Sequence, residues 1–278
     1  ILNSHLAIGA KVVLTSKSLM TREFWQYVQE HQVTSLSGVP YIYQMLRKMR
    51  YERFNTNSVR YLAQAGGKLD TDTTRYFVEQ CNKKSQSFFV MYGQTEATAR
   101  ITYLPSEQLN QKLGSIGIAI PGGRLFIRTE QGELTEQSGV EGELVYQGPN
   151  VMLGYAESVN DLVVGDSNKG WLDTGDIGYR DADGFFFITG RAKRFIKIYG
   201  LRISLDVVDE LLAVQMVQAA STGRDDKLYI FVEGKSDSAL SDIATEIAVT
   251  LKININAISV HGITTIPRTT NGKVDGKA

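Results

Sequence analysis

One pattern constrains this chain more than any other. Through its first ninety residues, short β-branched runs take turns with apolar residues at helical spacing. "AKVVLTS" (10–16), "VTSLSGV" (33–39), "VRYLAQA" (59–65) and "SFFVMY" (87–92) read as strands. Between them, Thr21 stands where a cap belongs, ahead of Phe24, Tyr27, Val28 and His31 on one helical face. Pro40 suits the first turn of a helix carrying Ile42, Met45, Leu46 and Met49, with Arg47, Lys48 and Arg50 near its negative end. "DTDTTRYFVEQCNKK" (70–84) supplies a further helix. This order predicts an α/β fold, a mainly parallel sheet covered by helices.

From about Leu113 the texture changes to glycine-punctuated short strands: "GRLFIRT", "GELVYQG", "DIGYRD" and "GFFFITG". Asp183-Gly184, between two of them, is a good hairpin turn, and the stretch reads as an antiparallel β subdomain. Next comes "RAKRFIKIYGLRIS" (191–204), with Ser204 placed to cap a helix bearing Val207, Val208, Leu211 and Leu212. A strand "KLYIFVEG", a helix from about Ser238 to Lys252 and an apolar run before Pro267 complete a small α/β unit. The expected organisation is a large domain over 1–190, α/β to 112 and β-rich over 113–190, followed by a small domain over 191–278.

A chain of 278 residues, 42% of them hydrophobic, is long enough to bury a proper core. Thirty basic residues balance thirty acidic ones, so no overall field draws it to nucleic acid or an anionic membrane. Its single cysteine, Cys81, excludes an internal disulfide and fits a reducing compartment, which makes the cytoplasm the expected location. No window approaches the roughly 18 apolar residues of a membrane span.

Ligands of a parallel sheet bind beyond the carboxyl ends of its strands, where "VMYGQTEAT" (90–98) falls. Tyr92 offers a flat face for a base and Gly93 lets the backbone approach. Thr95 can donate to a phosphate oxygen, and Glu96 can hold Mg²⁺ directly or through water. An ordinary strand end with a helix cap is the other reading. Gly66 and Gly67, in "AQAGGKL", could bring main chain against a base edge or simply make a turn. Asp176, in the Thr-Gly-Asp turn of "GWLDTGDIG", could accept both hydroxyls of a ribose or be a solvated turn residue. In the basic segment, Arg191, Lys193, Arg194, Lys197 and Arg202 interleave with Phe195, Ile196, Ile198 and Tyr199, which suits a partly buried stretch presenting cations to phosphate. Asn271-Gly272 makes a tight turn that displays Lys273.

Together and in this order, "YGQTE", "GWLDTGD", "GRAKRFIKIYG" and "PRTTNGKVD" resemble four core motifs of the adenylate-forming superfamily, which includes acyl-CoA synthetases, peptide-synthetase adenylation domains and beetle luciferases. The resemblance covers nearly the whole chain. It implies an AMP-forming acid:thiol ligase: a carboxylic acid attacks the α-phosphate of Mg·ATP, giving an acyl-adenylate and pyrophosphate, and a thiol then displaces AMP. The implied partners are a small carboxylic acid, ATP, and either CoA or the phosphopantetheine of an acyl or peptidyl carrier protein. Carried over by motif, Tyr92 stacks on adenine, Gly66, Gly67, Gly93 and Gln94 line the nucleotide, and Thr95 contacts phosphate. Glu96 supports Mg²⁺, and Asp176 and Arg191 bind the ribose. Lys193 stands at the hinge of a mobile small domain, and Lys273 reaches the α-phosphate and acyl carboxylate. Lys197 and Gly200 lie beside the thiol tunnel. The acyl pocket is expected near "SGVPYIYQ" and the strand into Tyr92, with Arg100 close enough to reach a polar acyl group.

The family's Ser/Thr/Gly-rich phosphate loop, ending in Pro-Lys-Gly, has no counterpart in residues 1–89, and the chain starts without Met. The expectation is therefore a fragment, inactive by itself. Two further readings stay open: an adenylation domain loading a carrier protein, and a non-catalytic nucleotide-binding module.

Overall fold

The computed structural model describes residues 2–214, 217–234, 237–268 and 274. The chain divides into two compact units. The first comprises Ile1–Phe126, Val145–Leu172 and Arg180–Phe187, and the second Ile127–Leu144, Asp173–Tyr179 and Ile188–Ala278.

The first unit opens with α1 (Leu2–Ala7) and α2 (Arg22–Glu30), followed by β1 (Ser35–Gly38) and α3 (Pro40–Lys48). Then come β2 (Tyr61–Gln64), α4 (Thr71–Lys83), β3 (Ser87–Tyr92), β4 (Thr102–Leu104) and β5 (Ile118–Ala119). The five strands form one sheet in sequence order. β1, β2 and β3 run parallel, and β4 and β5 continue antiparallel. Helices cover the sheet because their apolar faces have nowhere else to go. Trp25 and Val28 of α2, Tyr43 and Leu46 of α3, and Phe77 and Val78 of α4 are buried with Leu62 and Phe88 of the strands in one core. Polar anchors fix the packing: the buried Tyr43 hydroxyl donates to the Ala63 carbonyl of β2 at 2.7 Å. Asp70 caps α4 by accepting from the Thr73 N–H at 2.7 Å.

β6 (Arg124–Arg128), β7 (Leu134–Thr135), β8 (Glu141–Gln147), β9 (Trp171–Arg180) and β10 (Phe186–Arg191) form a second five-stranded sheet, in the order β10-β9-β8-β6-β7. Beyond this sheet the second unit continues with a hairpin of β11 (Phe195–Ile198) and β12 (Leu201–Ser204), then α5 (Leu205–Val214), β13 (Ala219–Arg224) and β14 (Lys227–Glu233). It ends with α6 (Asp237–Leu251) and β15 (Ile258–Ile263). β13 pairs antiparallel and β15 parallel with the central β14. Ile196, Ile198, Val208, Leu212, Leu228, Ile230 and Ile247 belong to the core of this unit.

Three sequence expectations are corrected. "AKVVLTS" (10–16) forms no strand: despite its β-branched composition it pairs with no strand of the sheet, whose end strand on that side is β1. Thr21 occupies the N-cap position of α2 but does not cap it, because its hydroxyl donates to the Ser18 carbonyl at 2.9 Å. Asp176 lies within β9, where Gly175 takes φ +71°, rather than in a free turn. Ser204 directly precedes α5, and its hydroxyl donates to the Thr189 carbonyl at 3.5 Å. The basic segment is partly buried as expected, with Ile196 at 4% and Ile198 at 0% exposure, and it forms the β11–β12 hairpin, closed by Tyr199 (φ 49°) and Gly200 (φ 85°).

Candidate active site

In the first unit, parallel pairing aligns Gly38, Gln64 and Val90 side by side. The segments that follow them therefore leave the sheet at one edge. Gly66 and Gly67 follow β2, and Tyr92, Gly93, Gln94, Thr95 and Glu96 end or follow β3. Gly66 sits at φ +85°, and a Cβ there would come 3.3 Å from Val39 Cγ1; one on Gly67 would come 3.2 Å from Pro40 Cγ. The buried Gln64 side chain donates to the Gly67 carbonyl at 2.7 Å and holds the turn.

Beyond Tyr92 the chain makes a closed loop. The Ile101 N–H returns to the Tyr92 carbonyl at 2.9 Å, and the Ala97 and Ala99 N–H groups both donate to the Gln94 carbonyl at 3.0 Å. Thr95–Ala97 form a short 3-10 helix, and Thr98 and Ala99 follow in the left-handed region at φ 50° and 69°. The Gln94 Nε2 is buried and has no hydrogen-bond partner among the described residues. Thr95 is exposed, and Glu96 is half-buried.

A second segment, which the sequence reading passed over, runs along this loop. Asn150 Nδ2 donates to the Ala97 carbonyl at 2.6 Å and to the Arg100 carbonyl at 2.9 Å, while the Thr98 hydroxyl donates to the Asn150 carbonyl at 2.8 Å. The Met152 N–H donates to the Glu96 carbonyl, and the Tyr155 hydroxyl donates to Glu96 Oε1, each at 2.8 Å. The bond to the carboxylate pushes the Tyr155 hydroxyl above its ordinary pKa. The available sequence signal was "GPN" (148–150), a turn-forming run ending in the residue whose amide best bridges backbone groups.

In the second unit, Asp176 is buried at 5% exposure, and its Oδ1 lies 3.2 Å from the Arg191 Nε. Its own N–H donates to the Thr174 hydroxyl oxygen at 3.1 Å, and that hydroxyl donates to the Leu144 carbonyl at 2.7 Å. The Arg191 N–H donates to Asp206 Oδ2 at 3.0 Å. Arg194 bridges Asp206 at 2.6 Å and Asp209 at 2.5 Å, and burial pushes the Asp209 carboxyl above its ordinary value. Lys197 is exposed on β11, whose edge is tied down where its N–H and that of Tyr199 donate to Asp225 at 3.2 Å and Asp226 at 2.7 Å. Gly200 closes the hairpin beside it. The side chain of Lys193 and the whole of Lys273 lie outside the described residues.

The description that matches the chain in a scan of family models is "AMP-binding enzyme", over residues 1–156. The sulfoacetate–CoA ligase of Cupriavidus necator is 32% identical over 226 residues, 81% of this chain and 43% of that protein. The 2-succinylbenzoate–CoA ligase of Bacillus licheniformis is 29% identical over 277 residues, 96% of this chain and 55% of its own length. Among solved structures, o-succinylbenzoate coenzyme A synthetase from Bacillus subtilis, in complex with ATP and magnesium ion, superposes with a TM-score of 0.77 at 26% identity. That likeness covers 98% of this chain and 56% of that one. The chain thus spans about half the length of the relatives it matches.

Proposed function

The chain belongs to the AMP-binding enzyme family, and on that premise we propose that its protein activates a carboxylic acid with ATP and passes the acyl group to the thiol of coenzyme A. The acid oxygen attacks the α-phosphorus, pyrophosphate leaves, and the thiol then takes the acyl carbon from AMP. The observation that carries the nucleotide part is the shared carboxyl edge of β2 and β3. It presents Gly66-Gly67, Tyr92 and the buried, unpartnered Gln94 Nε2. In this reading Tyr92 stacks on the base, the backbone of Gly66, Gly67 and Gly93 borders it, and Gln94 donates to an acceptor on the nucleotide. Thr95 donates to a phosphate oxygen. The buried Asp176 accepts from the ribose hydroxyls, with Arg191 holding its carboxylate in place.

Glu96 offers one carboxylate, and among the described residues no three His, Cys, Asp or Glu side chains converge into a metal cage. That donor set fits Mg²⁺, which keeps waters and substrate phosphates as most of its ligands. When bound, the ion would offset negative charge on the phosphates. Lys273 is assigned to the α-phosphate and acyl carboxylate, where charge builds in the transition state. Lys197 and Gly200 are assigned to the thiol step, Lys193 to the hinge, and residues 191–278 to a small mobile domain beside a larger one that ends at 190. The CoA ligases among the relatives favour coenzyme A over a carrier protein as the acceptor.

The test is ATP–pyrophosphate exchange by the whole protein over fatty, aryl, hydroxy and amino acids, with Lys273→Ala as control. Exchange is expected with one acid class and should fall by about 100-fold or more in the control, the size of effect seen when a transition-state contact is removed. Folded protein that binds ATP yet exchanges with no acid would instead support the nucleotide-binding module.

A further inference from the structure

We propose that Asn150 and Tyr155 are positioning residues that brace the Thr95–Arg100 loop and aim the Glu96 carboxylate; the proposal rests on the reading of Glu96 as the residue that holds Mg²⁺. The loop has a reason to need a brace. Thr98 and Ala99 are consecutive non-glycine residues at positive φ, a conformation that L side chains disfavour. Asn150 Nδ2 bonds the Ala97 and Arg100 carbonyls, one on each side of the strained pair. The Thr98 hydroxyl returns a third bond to the Asn150 carbonyl. Asn150 is itself held, because its Oδ1 accepts from the Tyr146 hydroxyl at 2.8 Å and Tyr146 is fully buried.

The same strap continues to the carboxylate. Met152 fixes the Glu96 main chain, and Tyr155 binds one carboxylate oxygen, Oε1, leaving Oε2 without a bond to Tyr155. The strap has its own supports: the Ser167 hydroxyl donates to the Leu153 carbonyl at 2.8 Å, and Asn168 Nδ2 donates to the Met152 carbonyl at 3.0 Å. Tyr155 is 74% exposed, so burial does not explain its orientation; the carboxylate gives it one. A carboxylate that binds a metal through one oxygen gains when a donor fixes the other. Partners of this kind are typically worth about 10–100-fold in metal affinity or activity.

The experiment is equilibrium binding of ATP to the whole protein as Mg²⁺ is titrated, for wild type, Tyr155→Phe, Asn150→Ala, Glu96→Ala and the Glu96→Ala/Tyr155→Phe double variant. Thermal midpoints serve as the folding control. Tyr155→Phe keeps the ring and removes only the hydroxyl. It is expected to raise the half-saturating Mg²⁺ concentration by about tenfold while leaving magnesium-free ATP binding unchanged. In the double variant, loss of the hydroxyl should add nothing to loss of the carboxylate. Asn150→Ala should raise the same midpoint and lower stability as well. If Glu96→Ala raises the midpoint but Tyr155→Phe does not, or if the two effects add, the brace is refuted and the metal reading stands. If Glu96→Ala leaves the midpoint unchanged, the metal reading falls and the brace falls with it.

Discussion

At Gly93 the chain has no room for a side chain. A Cβ there would stand 2.6 Å from the Ala99 carbonyl oxygen and 2.7 Å from the Arg100 Cα, both backbone atoms of the loop that folds back on it. By residue type this glycine suits the approach of a ligand, whereas the structure gives it a requirement internal to the loop. Gly93→Ala should therefore destabilise the first unit by about 1–3 kcal/mol through overpacking, measured by urea denaturation. Gly132 is the control. It sits at φ +86° with nothing within 4 Å of a Cβ, so alanine there should cost only the backbone term, about 1 kcal/mol. Equal losses at the two positions would mean that the loop yields to the methyl group. Residue type alone singled out Gly93, Thr95 and Glu96. It could not show Asn150 or Tyr155, because they meet the loop from 50 to 59 positions away.

Among the elements, those written in local pattern were legible and those that depend on a distant partner were not. Pro40, the helical run from Asp70 and the runs into Gln64 and Tyr92 mark α3, α4, β2 and β3 where the structure has them. "AASTGR", by contrast, carries no apolar alternation. It becomes β13 because it pairs along β14, while "AKVVLTS" has the composition of a strand and stays unpaired. The β9–β10 turn shows how a local signal gains long-range support. Asp183-Gly184 marks the turn, but Asp181 holds it, its Oδ1 accepting from the Asp183 N–H at 3.0 Å and the Phe185 N–H at 2.8 Å. Its Oδ2 accepts from the Lys112 ammonium at 2.7 Å. Burial alone would raise the Asp181 carboxyl, but the bonds from Lys112, Phe185 and Asp183 outweigh it and leave its pKa lowered. A carboxyl lowered on folding adds stability that is present above its unfolded value and lost as pH falls through the folded one. Asp181→Ala should cost about 1–3 kcal/mol at neutral pH, since two backbone donors lose their acceptor. Asp181→Asn keeps those two acceptor bonds, and its deficit against wild type should close as pH falls below about 4. Denaturant melts of the three proteins across pH 7 to pH 3 check this, and a deficit that grows on acidification would reverse the assignment.

For the whole molecule, the decisive fact is that each unit has a buried core of its own, with no residue common to both. Leu62 lies at 0% exposure in the first and Ile230 at 0% in the second. Truncating either to alanine removes well-packed methylene groups and should cost about 2–5 kcal/mol, the spread reflecting how far each site collapses. Because the two positions share no packing partner, the double variant should lose the sum of the single losses to within about 0.5 kcal/mol. Calorimetry of the wild type and the three variants separates two outcomes. If Leu62→Ala and Ile230→Ala displace different parts of the heat-absorption profile, the units melt as separate cooperative blocks. No single unfolding free energy then describes the protein, and each substitution must be scored against its own transition. If both displace one common transition by the same amount, the two cores unfold together despite their separate packing. Stability lost at either position would then reach the Tyr92–Glu96 edge and the Asp176–Arg191 pair alike.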